Sequence, residues 1–409
     1  MRNKLIVASG AAVLMLGGLY AWTREAAIAP LQMVPAPGGQ DSHRDGARIV
    51  ALGDCMVCHT AQGGAPYAGG LALKTPFGTI YATNITPDPT TGIGNWPLEA
   101  FQRALRRGVS RDGHLLYPAF PYVHYTRMSD NDIALAYGFL MSRTPVQSIP
   151  PANDLMFPLN FRPLLAFWNL LNLTSGQSAV PADTGQIARG RYLVDTLGHC
   201  ASCHSGLDPI GGERKPAFGG GTVDGWHAPA LTTLTHGNAP WTEAELATYL
   251  RTGLSLSHGA AKGPMQAITE HLAETNEVDT KAMARYLMTI QTQPATTTSI
   301  AAPPVSRGDG AALFAASCAG CHGAPAPMMR LAQRPSLARS SAVLGADPSN
   351  FILTVLHGVD GARMPPYAAV LSDGQVASLA AYVRSDLAAQ PSWSGVSETT
   401  AHLRQEAPQ

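Results

Sequence analysis

Apolar and polar positions fall into the same order three times along this chain: a short amphipathic run, a cysteine-bearing turn, a polar loop, then two further amphipathic runs. The opening runs cover 44–54, 189–199 and 307–317. The second runs cover 97–109, 242–254 and 348–359, each with a glycine near its end (Gly108, Gly253, Gly358), a normal helix stop. Two of the closing runs open on Ser129-Asp130 and Ser372-Asp373, side chains suited to capping a helix. Leu135-Ala136-Tyr137, Ala284-Arg285-Tyr286 and Ala380-Ala381-Tyr382 take matching places and predict one shared helix–helix contact. This repetition predicts a mainly α chain with three tandem domains, at 40–150, 185–292 and 305–390. Linkers are expected at 151–184 and 293–304, with a loosely ordered polar tail over 391–409.

The chemistry sits in the turns. All six cysteines are used by three C-x-x-C-H sequences, Cys55-Met56-Val57-Cys58-His59, Cys200-Ala201-Ser202-Cys203-His204 and Cys318-Ala319-Gly320-Cys321-His322. This is the attachment signature of c-type haem. The two thiols add to the porphyrin vinyl groups, and the adjacent histidine (His59, His204 or His322) becomes the proximal iron ligand. A structural zinc site would bring two such pairs within roughly 12–20 residues of each other. Here they are more than a hundred apart, each with its own histidine. A thioredoxin-type pair would lie beside a βαβ pattern, and none is legible. The three motifs therefore predict three covalently bound haems and three class I-like cytochrome c domains.

An iron held this way has a second axial position, and methionine there raises the potential relative to histidine. Met364, in Arg363-Met364-Pro365-Pro366-Tyr367, and Met265, in Gly263-Pro264-Met265, are expected to lie in the loop before the last helix and to ligate. In the first repeat Phe120 takes the place of the expected methionine. His124 and Met128 are the candidates there. His124 is preferred, because Met128 abuts the helix cap, where an apolar residue commonly staples the helix start; an open iron is the remaining option. The recurring Pro229-Ala230-Leu231 and Pro335-Ser336-Leu337 offer carbonyls to orient the proximal imidazoles, or simply stiffen the loops.

Before the repeats, Arg2 and Lys4 precede 18 uncharged, strongly apolar residues, Leu5 to Trp22. That length exceeds a usual signal core and approaches the roughly 20 residues of a membrane span. Ala26-Ala27-Ile28-Ala29 followed by Pro30 makes a poor cleavage site, so residues 1–29 are read as an uncleaved anchor in preference to a signal segment. The basic start belongs on the cytoplasmic side and the body on the outer, periplasmic face of a bacterial cytoplasmic membrane. With 409 residues, two or three domains are expected at roughly 150 residues each. Zero formal charge and only 14% charged residues exclude a nucleic-acid binder, which needs a basic stripe. No carboxylate pair, serine–histidine–aspartate set or phosphate-binding glycine loop competes for a catalytic role, so the chain itself is not expected to act on a substrate.

Further stretches of the first repeat are Tyr67-Ala68-Gly69-Gly70, Thr75-Pro76-Phe77-Gly78-Thr79-Ile80-Tyr81, Thr83-Asn84-Ile85-Thr86-Pro87-Asp88 and Thr91-Gly92-Ile93-Gly94. With the haem motifs they make the chain resemble, over nearly its whole length, the triheme cytochrome c subunits of membrane-bound bacterial dehydrogenases. The resemblance implies a catalytic dehydrogenase partner whose electrons pass to membrane ubiquinone. Subunits of alcohol and gluconate dehydrogenases typically read Pro-Ala-Met-Pro-Tyr where this chain has Pro118-Ala119-Phe120-Pro121-Tyr122. Phe120 followed by a histidine, and the segment from Pro151 to Leu171, are more similar to subunits paired with molybdopterin and small iron–sulfur proteins, as in aldehyde dehydrogenases. The alternatives are a cytochrome subunit of a quinoprotein alcohol dehydrogenase or a flavin-dependent gluconate or sorbitol dehydrogenase, a terminal-oxidase subunit, and a haem peroxidase working at an open first iron. Leu164 to Leu173 is strongly apolar and reads either as a membrane-facing patch or as a helix packed between domains.

Overall fold

A computed structural model describes residues 17–18, 23–32, 39–174, 185–236, 239–293, 309–323, 336–359 and 364–405. The expected anchor over Leu5–Trp22 and the 293–304 linker fall almost wholly outside the described residues. Among the described residues no helix is long and apolar enough to cross a membrane. The chain divides into two compact units, Met1–His199 and Cys200–Gln409.

In the first unit, helix α1 (Gln40–Leu52) leads into the first motif. Helix α2 (Leu98–Arg107) stops at Gly108, whose φ of 62° is the left-handed stop expected there. Helix α3 (Asp130–Met141) opens on Ser129, whose hydroxyl accepts from the Asp132 N–H. In the second unit, α4 (Glu243–Thr252) starts on a Thr242–Glu245 capping box and stops at Gly253. Next come α5 (Pro264–Ala273) and α6 (Glu277–Thr289), the latter capped by Asn276. The third motif follows α7 (Gly310–Ser317). Helices α8 (Ser349–His357), α9 (Asp373–Tyr382, with a Ser372–Gln375 capping box) and α10 (Val396–Gln405) complete the unit.

Two glycines set how the first and last helices cross. A Cβ on Gly46 of α1 would lie 2.4 Å from Leu135 O and 2.8 Å from Phe139 Cβ of α3. A Cβ on Gly310 of α7 would lie 2.2 Å from Ser378 O and 3.0 Å from Tyr382 Cβ of α9. Both crossings are thus backbone against backbone, which only glycine permits. They equate Phe139 with Tyr382, whereas the sequence match paired Tyr137 with Tyr382, a slip of two residues. Helix α3 carries aromatics at both 137 and 139, so the sequence allowed either alignment. Tyr382 packs on Phe314 of α7 (centroids 5.4 Å apart), the predicted helix–helix contact. Tyr137 instead packs on Phe101 of α2 (5.6 Å) and donates to Trp96 O at 2.7 Å.

The described parts of the expected 151–184 linker and of the tail are folded. Within the proline-rich 151–184 stretch, strand β3 (Asp154–Leu155) joins the hairpin of β1 (Ala72–Thr75) and β2 (Gly78–Tyr81), giving the order β1-β2-β3. Asn153 Oδ1 accepts from the Tyr81 N–H at 2.9 Å, and Arg162 Nη1 donates to Leu115 O at 2.8 Å. Of the tail, residues 393–405 are folded as well. Trp393, Val396 and Leu403 are buried in one core with Phe351, Ile352 and Val376, and Arg404 pairs with Asp373 at 2.6 Å. Polar composition hid a helical stripe of Val396, Thr400 and Leu403 at i, i+4 and i+7, all buried.

Gly46→Ala is expected to destabilise the chain by about 1–3 kcal/mol, because the backbone contact leaves no room for a methyl group. Gly138→Ala, on the open face of α3 with nothing within 4 Å, is expected to stabilise it by about 0.5–1 kcal/mol. Thermal denaturation of the two variants reads both signs.

Candidate haem sites

Each C-x-x-C-H sequence is coiled into a single helical turn: Cys55–Cys58 with His59 as C-cap, Ala201–His204 after Cys200, and Ala319–His322 after Cys318. At 3.6 residues per turn, cysteines three apart share a face and the histidine follows alongside. Asp54 (φ 49°) and His199 (φ 34°), just before the first and second motifs, take left-handed backbone that breaks the entering helix from the turn. Packing around the half-buried Cys55, with Asp54 and Cys58 adding to it, pushes its thiol up to about 12. A reactive or redox cysteine needs the opposite environment.

The proximal histidines are oriented by carbonyls. His59 Nδ1 lies 2.6 Å from Thr83 O, and His204 Nδ1 lies 2.6 Å from Pro229 O. A carbonyl only accepts, so each Nδ1 carries the proton and each Nε2 keeps the lone pair that a metal requires. Burial pushes both imidazole pKa values below their ordinary value, and the carbonyl bonds oppose this. Of the two proline turns expected to supply carbonyls, Pro229 does so. Pro335 lies outside the described residues.

Thr83 was not foreseen in this role, and its support is elaborate. The neighbouring Asn84 is buried. It donates to Val146 O at 2.7 Å and Thr91 Oγ1 at 3.0 Å, and accepts from the Thr86 N–H at 2.9 Å and hydroxyl at 2.8 Å. The stretch Thr83–Asp88 stands out in the sequence, but an orienting carbonyl leaves no side-chain signature.

The axial candidates sit as follows. Met364 is bridged to Val359, whose N–H donates to Met364 O at 3.0 Å, and packs with Cys318 against one core. Three residues on, Tyr367 donates to Ser317 O at 3.1 Å, tying this loop to the residue before the third motif. Met265 is half-buried in the first turn of α5, not in a loop as expected, because Pro264 at the first helical position starts a helix there. His124 is buried in the short helix Tyr122–Tyr125 and its Nδ1 donates to Asp195 O at 2.9 Å. Met128 is buried just before the Ser129 cap, with Ile133 buried four residues after that cap, the two places of a hydrophobic staple. Phe120 joins an aromatic wall with Tyr122 (6.2 Å) and Tyr125 (5.7 Å). Tyr125 closes it against the first motif by donating to Gly53 O at 2.7 Å.

Motif turns with carbonyl-oriented imidazoles define a c-type cytochrome, and comparison with known proteins agrees. The cytochrome c family profile matches residues 187–291, and that of subunit III of cbb3-type cytochrome c oxidase matches 307–383. The gluconate 2-dehydrogenase cytochrome c subunit of Pantoea cypripedii is 36% identical over 83% of this chain and 84% of its own length. The cytochrome c subunit of the quinone alcohol dehydrogenase of Gluconobacter oxydans is 34% identical over 83% of this chain and 77% of its own. A nicotinate dehydrogenase subunit of Pseudomonas putida is 44% identical over 97% of this chain, which spans only 34% of that protein. The chain belongs to the family of cytochrome c subunits of dehydrogenase complexes.

Asn84→Ala removes four hydrogen bonds and is expected to cost about 2–4 kcal/mol, at roughly 0.5–1.5 each with unsatisfied partners adding to it. Denaturant unfolding of the holoprotein checks this.

Proposed function

We propose that this chain carries three covalent haems and relays electrons from a catalytic dehydrogenase subunit to ubiquinone, on the periplasmic side of a bacterial cytoplasmic membrane. The observation that carries the reading is the repeated motif turn, with the His59 and His204 rings locked on carbonyls in the ligating tautomer. Haem iron supplies one-electron exchange between its ferric and ferrous states. The chain's cysteines fix the macrocycles, and His59, His204 and His322 supply the proximal ligands. Met364 and Met265 are the sixth ligands of the third and second irons; the core that Met364 shares with Cys318 supports the former. His124 is the sixth ligand of the first. Its Nδ1 bond to a carbonyl is the same device as in His59 and His204, while Met128 sits where a staple is needed.

The partner is a molybdenum-dependent dehydrogenase of the aldehyde or nicotinate type, working with a small iron–sulfur subunit. Identity to the nicotinate dehydrogenase subunit over 97% of this chain supports this, as does Phe120 in place of methionine. Two features support membrane attachment. Residues before the first domain are tied to it: the Glu25, Ile28 and Leu31 N–H groups donate to Gly113, Arg111 and Asn95 carbonyls at 3.0, 2.8 and 3.0 Å. Arg103 also donates to Ala26 O at 2.7 Å. Cleavage after Ala29 would remove the bonds of Glu25, Ala26 and Ile28 and leave only that of Leu31, which favours a retained anchor. The helix Leu165–Asn172 is held from beneath by Tyr122, which donates to Asn169 Oδ1 at 2.6 Å. It leaves Leu170 (80%) and Leu171 (70%) exposed, an apolar face suited to lipid or quinone.

The ferric holoprotein is expected to show methionine charge-transfer absorption from two haems, lost one at a time in Met265→His and Met364→His and unaffected by Met128→Leu. Loss on Met128→Leu would move the first axial ligand from His124 to Met128. In the native complex, Leu170→Asp with Leu171→Asp is expected to cut ubiquinone reduction about tenfold or more while the dehydrogenase still reduces the haems, the loss reflecting charge placed on a lipid-facing helix. Co-purification with haem–copper subunits in place of a dehydrogenase would overturn the assignment.

A further inference from the structure

Lys262 lies three residues before Met265, on the stretch that leads from Gly253 into α5. Its ammonium donates to Thr354 Oγ1 of α8 at 3.2 Å. The Thr354 hydroxyl spends its own proton on Asn350 O at 2.6 Å, so it serves the lysine purely as an acceptor. An ammonium has three donors, and among the described residues Lys262 makes no ion pair. Burial without a counter-charge pulls it down to about 8.

A buried cation of the same unit shows what full satisfaction looks like. Arg384, 7% exposed, donates to Val343, Gly345 and Pro391 carbonyls and lies over the Trp393 ring. Lys262 has none of this, yet its position is built rigidly. The adjacent Gly263 (φ 54°) is pressed on Trp226, where a Cβ would lie 2.5 Å from the indole. Helix α8 is fixed from the other side, as His227 N–H donates to Asn350 Oδ1 and Asn350 Nδ2 donates back to His227 O, both at 2.8 Å. A half-buried ammonium held this firmly, with two donors that no described residue takes up, suits an anion from outside the polypeptide.

We propose that Lys262 is the binding residue for a propionate carboxylate of the second haem, and that its positive charge raises that haem's potential. This rests on haem attachment at Cys200 and Cys203 with Met265 as axial ligand. The propionates are the only anionic groups the cofactor would bring, and Lys262 lies three residues before the proposed ligand Met265. A positive charge there favours the reduced, more negative iron centre over the oxidised one.

The test is spectroelectrochemical titration of the full-length holoprotein, its three haems first counted as pyridine haemochromes so that a failure of attachment is seen separately. Lys262→Met, with Lys262→Gln as a second neutral variant, is expected to lower one of three midpoints by about tenfold in the oxidised-to-reduced ratio at fixed potential, about 59 mV for one electron. The displaced wave is the one that Met265→His also moves. Lys262→Arg keeps it in place, and so does Thr354→Val, which removes only the protein partner. Unchanged midpoints in both neutral variants, or displacement of the wave that Met364→His moves, would overturn the proposal.

Discussion

An imidazole can bind iron only through an unprotonated nitrogen, and it can set a potential only if its ring is held still. Both conditions are met by one hydrogen bond, from Nδ1 to a backbone carbonyl: Thr83 for His59 and Pro229 for His204. A carbonyl holds its place only if its loop does. Hence the buried Asn84 network in the first unit, and in the second the short hairpin of Gly221–Val223 with Trp226–Ala228 just ahead of Pro229. The helices serve the same end. Gly46 and Gly310 let the helix entering a motif lie directly on the closing helix, so that the turn carrying the cysteines springs from a fixed base.

Charge is scarce in this chain, at 14% of residues, and its placement carries meaning. Arg103, Arg106, Arg107 and Arg111 of the first unit are spent on carbonyls and on Glu25 and Asp130, pinning residues 24–31 and the start of the third helix. Arg384 is satisfied by its own core. Lys262, by contrast, is half-buried at a rigid site with two donors that no described residue takes up, which suits an anion the polypeptide does not supply.

The sequence revealed chemistry better than packing. Cysteine spacing, helix caps and glycine stops depend on neighbours a few residues away, so Ser129, Ser372 and Gly253 could be read directly. The Pro229 carbonyl was legible because proline marked its turn, and Thr83 was not, because any residue type offers the same oxygen. Tertiary alternatives misled. Two aromatics in one helix let Tyr137 stand in for Phe139, and a polar average concealed the buried stripe of Val396, Thr400 and Leu403. The loop expected at Met265 is a helix because Pro264 begins one.

The central proposal is that three haems are joined to one polypeptide through Cys55 and Cys58, Cys200 and Cys203, and Cys318 and Cys321. The intact mass of the denatured holoprotein, taken after export and maturation, tests this most directly. Covalent attachment predicts a polypeptide heavier by three haems, and replacing both cysteines of any one motif with alanine predicts a loss of one. A mass matching two haems or fewer in the unaltered chain, or no change on removing one cysteine pair, would contradict it.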